Sequence, residues 1–204
     1  MRFSINLILV FYSLVVSTVM PQSLPTSGKT PQTLVPDSHE ILERAEGDLN
    51  QDGHNDLVLI FREKNEDGTP RILAIYFYNP KFGYQLSDYT SDFLLKSNEG
   101  GVMGDPFGSL TIKKGVIVVQ HSGGSREKWS YTHRFRFQDE KFFLIGKTES
   151  VYDSMTGESK TTDSNLLTGK TEISITNSKG KSSKKMESPG KKPLPPLVSF
   201  KIFE

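Results

Sequence analysis

Glu127-Lys128-Trp129-Ser130-Tyr131-Thr132-His133-Arg134-Phe135-Arg136-Phe137 alternates without a break, with Trp129, Tyr131, His133, Phe135 and Phe137 at odd positions and Lys128, Ser130, Thr132, Arg134 and Arg136 between them. Successive side chains of a strand point to opposite faces, so this period of two marks one buried aromatic face and one wet, basic face. About eight strands, most joined by short turns, point to an antiparallel architecture. On the aromatic face His133 is read as a packed core residue.

Working outward, Phe142 to Tyr152 reads as the hairpin partner across Asp139-Glu140, and Thr171, Ile173 and Ile175 alternate in a further strand. Val116 to Gln120 follows the turn Lys114-Gly115. Leu57-Val58-Leu59-Ile60-Phe61 and Ile72-Leu73-Ala74-Ile75-Tyr76-Phe77-Tyr78 are apolar on both faces, as central strands are. Between them Glu66-Asp67-Gly68 offers a hairpin turn, since Asp-Gly accepts positive φ. Val198, Phe200 and Ile202 suggest a closing strand, and Ser38–Ala45, capped by Asp37 or Ser38, reads as a short helix. The expected fold is all-β, mainly an antiparallel sandwich or barrel, with at most one short N-terminal helix.

Before that domain, Ile5 to Met20 is almost continuously apolar behind Arg2, and Pro21 opens a polar run. A stretch this short, broken by Asn6, Ser13 and Ser17, reads as a secretory signal peptide over residues 1–23, not as a stable transmembrane anchor. The expected location is secreted or periplasmic. Residues 24–38, with Pro25, Pro31 and Pro36, read as a linker, and residues 39–204 as one domain. Within it 177–196, rich in lysine and proline, reads as a mobile loop. There is no cysteine, so disulfides, thiolate chemistry and a lipid-bearing cysteine are all excluded.

Beyond Arg2 the chain carries 24 Lys+Arg against 24 Asp+Glu, a balance that offers nucleic acid no net field. The charge is uneven, with 8 basic and 3 acidic residues over 170–204. Lys128, Arg134 and Arg136 are read as a solvated strand face.

One stretch carries specific chemistry. Asp48-Leu49-Asn50-Gln51-Asp52-Gly53-His54-Asn55-Asp56 places side-chain oxygens at loop positions 1, 3, 5 and 9, with Gly53 at 6 and the His54 carbonyl at 7, the spacing by which a tight loop wraps a hard cation. Position 12 is Leu59, not Glu, and a strand follows, so this is no complete EF-hand. Gly47 to Val58 resembles the calcium loops of FG-GAP and VCBS-type repeats, which lead straight into a strand. The resemblance implies Ca²⁺ held structurally at Asp48, Asn50, Asp52, His54 and Asp56. It does not imply a propeller, because the chain has no second copy of the loop. The wider chain resembles secreted bacterial proteins that combine this loop with Gly104-Asp105-Pro106-Phe107 and His121-Ser122-Gly123-Gly124-Ser125, a likeness that brings no activity. A turn closed by its own backbone is the alternative to a metal loop.

Among candidate catalytic groups, His121 precedes a glycine pair that could leave it exposed, and Gly100 to Pro106 could shape a ligand loop. The chain has no Gly-x-Ser-x-Gly elbow and no His-Glu-x-x-His pair. The expected function is therefore an exported, calcium-stabilised β domain that binds a glycan or protein ligand. The alternative is a secreted hydrolase acting on polysaccharide, which needs two carboxylates facing each other in a groove.

Overall fold

The structure, a computed structural model, describes residues 24–65 and 67–203, so the signal-like segment lies outside the described residues. Among the described residues twelve strands form two antiparallel sheets. The five-stranded sheet comprises β1 (Ser27–Gly28), β2 (His39–Gly47), β3 (Asp56–Glu63), β4 (Ile72–Asn79) and β5 (Gly83–Thr90), in the order β1-β5-β4-β3-β2. The seven-stranded sheet is a meander of β6 (Phe107–Lys113), β7 (Val116–Gly124), β8 (Glu127–Gln138), β9 (Lys141–Asp153), β10 (Ser159–Asn165), β11 (Lys170–Thr176) and β12 (Ser182–Glu187). Among the described residues no helix is long and apolar enough to cross a membrane.

The two apolar runs became β3 and β4, and both of their faces are covered. Val58, Ile60, Leu73 and Ile75 face Leu110, Ile117, Val119, Phe135, Phe142 and Leu144 of the opposing sheet. On the other face Leu57, Leu59, Phe61, Ala74 and Tyr76 pack against Leu34 and Val35. The segment expected as a linker is therefore a third layer. Its β1 pairs with β5, its 3-10 turn Pro31–Leu34 buries Leu34 completely, and the Tyr76 hydroxyl donates to the carbonyls of Leu34 (2.9 Å) and Pro25 (3.3 Å). Burial pushes that phenol up to about 12.

The expected helix at 38–45 is strand β2. Its register shifts between Ile41 and Glu43, leaving Leu42 as the extra residue of a bulge. Ile41 joins the outer cluster, whereas Leu42 and Ala45, three positions apart, both join the inner one, which an unbroken period of two would not allow.

Two of the turns in the second sheet lie where the sequence places them. Lys114 and Gly115 (φ 51° and 71°) and Asp139 and Glu140 (φ 48° and 60°) take the paired left-handed conformations of tight hairpins. The connection containing Asp67-Gly68 is longer, spanning residues 64–71. The region expected as a mobile loop contains β12, paired along its length with β11. The expected last strand is instead the 3-10 turn Leu197–Ser199, with Leu197 fully buried and Pro196 bridged to Phe143.

The aromatic face of β8 is graded. Phe135 and His133 are buried, whereas Trp129, Tyr131 and Phe137 are half-buried. Past His133 and Gly146 the sheet outruns its partner, and no described residue from Lys147 to Glu187 is buried. The seven-stranded sheet thus consists of a packed half and a single-layer wing. Phe135→Ala should cost roughly 3–5 kcal/mol in urea unfolding, the usual range for a buried aromatic, and Trp129→Ala clearly less. Equal losses would contradict this gradient.

Candidate functional site

The acidic loop links β2 to β3, and its conformation follows from its own side chains. Asp48 accepts the backbone amides of Gln51 (2.7 Å) and Asp52 (3.2 Å) on Oδ1 and that of Gly53 (3.0 Å) on Oδ2. Asn50 Oδ1 accepts the Asp52 amide at 3.1 Å, and Asp52 Oδ1 accepts that of His54 at 2.9 Å. Gln51 and Gly53 take the positive φ values, 65° and 86°, that let the chain curl around Asp48. The His54 amide, opposed by slight desolvation and aided by Asn50 and the His54 ring, holds the Asp52 carboxyl below its usual range.

Asp56 behaves differently. It is fully buried, its Oδ2 accepts the Leu49 amide at 2.8 Å and its Oδ1 accepts the Tyr78 amide at 3.0 Å. Burial pushes its carboxyl up against these hydrogen bonds. The side chain thus pins the loop to β4 from beneath, while the adjacent Leu49 is anchored in the core.

The donor chemistry of Asp48, Asn50, Asp52 and the His54 carbonyl is all oxygen, as a hard cation requires. An ionised carboxylate offers about four lone-pair sites, so the amide bonds leave capacity on Asp48 and Asp52. Among the described residues no three His, Cys, Asp or Glu side chains are gathered as a metal site. Any cation here would thus lean on Asn50 and the backbone between the two acids.

A second constellation joins the other two quoted motifs. Phe107 pairs with His121 across β6 and β7, the Ser122 amide donates to the Pro106 carbonyl (2.8 Å), and that of Gly124 donates to Gly100 (2.9 Å). Gly123 is required there, because a side chain would collide with the Trp129 ring. His121, expected at an exposed turn, lies inside strand β7 and is only 1% exposed. Beside it Arg71, equally buried, donates from Nη2 to Asp105 and has its guanidinium carbon 5.9 Å from the Phe107 ring centre. Partial burial pushes the Asp105 carboxyl up, but hydrogen bonds from Arg71 and the Phe107 amide outweigh it, so it lies below the usual range. Nε and Nη1 of Arg71, both ring nitrogens of His121 and Nδ1 of His133 are buried without a hydrogen-bond partner. Nothing in the sequence distinguishes Arg71, because a lone charge ahead of an apolar strand resembles a solvated strand end.

The wing supplies a groove of about 440 Å³ lined by Glu127, Val151, Asp153, Glu158, Lys160 and Ile175. Its floor is aliphatic, with Val151 39% and Ile175 46% exposed. Asp153 is tied to Arg126 at 2.7 Å and brought down to about 2 by that bond and backbone amides. It is thus committed as an acceptor and poorly suited to act as a general acid at neutral pH.

Compared with known proteins, the chain matches no family model, no curated protein and no solved structure. The likeness to FG-GAP and VCBS-type loops therefore stands on the residues from Gly47 to Val58 alone.

Asp56→Asn should lower stability by about 1–3 kcal/mol, because an amide nitrogen would face a backbone N–H that now donates to a carboxylate oxygen. The loss is read as a shift in urea midpoint of the calcium-free protein, where only the hydrogen bonds to Leu49 and Tyr78 are at stake. An unmoved midpoint would remove Asp56 from this role.

Proposed function

We propose that the chain is a non-catalytic binding module of an exported protein, in which the Asp48–Asp56 loop holds a structural calcium ion and the single-layer wing receives a glycan. The observation that carries the reading is the wing itself. Exposed apolar side chains gathered over a groove are the usual mark of a binding surface. On that face the register aligns Trp129, Val151, Lys160 and Ile175 across four strands. Trp129 stacks on Tyr131 with ring centres 5.0 Å apart. Aromatic and aliphatic surface set beside a lysine and the carboxylates of Glu127 and Glu158 suits the mixed apolar and hydroxylated faces of a sugar chain.

In this reading the calcium ion sits on Asp48, Asn50, Asp52 and the His54 carbonyl. Asp56 sets the loop's position and remains the fifth candidate ligand. The ion would neutralise carboxylates that otherwise repel one another and would fix the mouth of the β2–β3 hairpin.

Incubation with insoluble peptidoglycan, chitin and cellulose, scoring bound protein and reducing ends together, tests the binding claim. Retention on one of them without release of reducing ends, lost in Ile175→Asp at unchanged melting temperature, is the expected result. Retention on none removes the glycan reading, and steady release of reducing ends establishes the polysaccharide hydrolase instead.

Extracellular calcium modules bind at roughly 10⁻⁴–10⁻³ M, and ligand at ten times the dissociation constant adds about 1.4 kcal/mol. Calcium should therefore raise the melting temperature by about 3–6 °C, with Asp52→Ala abolishing the rise. If millimolar calcium leaves both proteins unshifted, the loop is a turn closed by its own amides.

A further inference from the structure

The mouth of the sandwich is closed by two pieces of chain that belong to no strand. Residues 91–106 connect β5 to β6 and insert Phe93, Leu94 and Leu95. Residues 197–203 follow the second sheet and lay Phe200 and Phe203 over it, with the amides of Ser199 and Phe200 bonded only to carbonyls at 196 and 197. Between them lies a cavity of about 350 Å³ bordered by Pro70, Phe93, Leu95, Lys201, Ile202 and Phe203.

Beneath this cover sit the two imidazoles. Phe93 meets His121 at 5.8 Å and His133 at 5.4 Å, edge-on to both rings. Phe107 closes the other side of His121 at 6.2 Å, and Phe200 lies 5.1 Å from His133. We propose that His121 and His133 form an acid latch: charging them releases residues 91–106 and 197–203 from the mouth of the sandwich and opens the cavity, while the two sheets stay folded.

The physical reason is the company these rings keep. An imidazolium needs acceptors or water, and the cage offers aromatic edges and faces. Around His121 the charged groups are Arg71, which repels a second cation, and Asp105, already committed to Arg71. Around His133 they are His121, Lys147 and Arg134, all of the same sign when charged, with Lys147 and Arg134 paired to Glu149 and Asp163. Tyr131 is neutral, and Asp92, Lys96, Glu99 and Lys201 line the cavity outside. The cheapest way to hydrate the rings is to move the cover, whose Phe93 and Phe200 are the contacts that seal them.

Burial first, and then these cations, bring His121 down to about 4 and His133 down to about 3 from 6.5. For a group whose pKa is depressed in the closed form, stability is complete above 6.5 and is lost as the pH falls towards the depressed values. If the rings regain ordinary values on opening, the open population rises roughly 30-fold per histidine between pH 7.5 and pH 5.

Amide hydrogen exchange of the full chain at those two pH values, corrected for intrinsic rates, reads the latch segment by segment. Emission of the single tryptophan, Trp129, reports locally, because it stacks on Tyr131, whose ring lies 6.2 Å from His133. Residues 91–106 and 197–203 should lose protection on acidification while β3 and β4 keep theirs, and His121→Leu combined with His133→Leu should abolish the change. Should the double variant fail to fold, His133→Gln alone should cut the acid response by about the share of one histidine. Equal loss of protection in β3 and β4, no loss in the two segments, or an undiminished response in the variants would each overturn the proposal.

Discussion

β3 and β4 are apolar on both faces, and an antiparallel sandwich of two layers covers only one. Leaving Leu57, Leu59, Phe61, Ala74 and Tyr76 in water would forfeit about 25 cal/mol per Å² of apolar surface over the centre of the sheet. The chain meets this demand with residues 24–36, which bring Leu34 and Val35 over the exposed side and receive the Tyr76 hydroxyl on two carbonyls. That third layer fixes the inner sheet between two apolar surfaces. Asp56 in turn hangs the acidic loop from the same sheet through the amides of Leu49 and Tyr78. The position of the candidate metal loop is therefore a consequence of how the core is closed.

The division between what sequence reveals and what it hides follows this logic. The long strand from Glu127, its hairpin partner and the two-residue turns were legible because period and turn chemistry are local properties. The strand β2 was misread because a bulge at Leu42 breaks the period. β10 and β12 leave no apolar pattern in the sequence, because neither buries a face. Ser159-Lys160-Thr161-Thr162-Asp163-Ser164-Asn165 has no apolar residue at all, and its strand is held by pairing with β9 and β11. Proline count made 24–38 look like a spacer, although Leu34 and Val35 answer a need created by residues more than twenty positions later.

The candidate site divides in the same way. The oxygen spacing of the loop could be read directly, but the burial of Asp56 depends on β4, which the motif does not contain. Gly104 to Phe107 and His121 to Ser125 were separate signals in the sequence, and the pairing of β6 with β7 makes them neighbours. Arg71 joins them from a third strand end, and only the assembled structure places its guanidinium beside His121. The molecule has two halves, a packed half that positions the loop and the histidines and a wing in which no described residue from Lys147 to Glu187 is buried.

The claim that the N-terminal layer completes the core is tested most directly by Leu34→Ala, measured in urea unfolding against the unmodified chain. Leu34 is fully buried against β3 and β4. A buried leucine truncated in this way costs about 2–5 kcal/mol, and the midpoint should fall accordingly with the slope unchanged. An unaltered midpoint, as expected of a residue in a solvated spacer, would contradict the account.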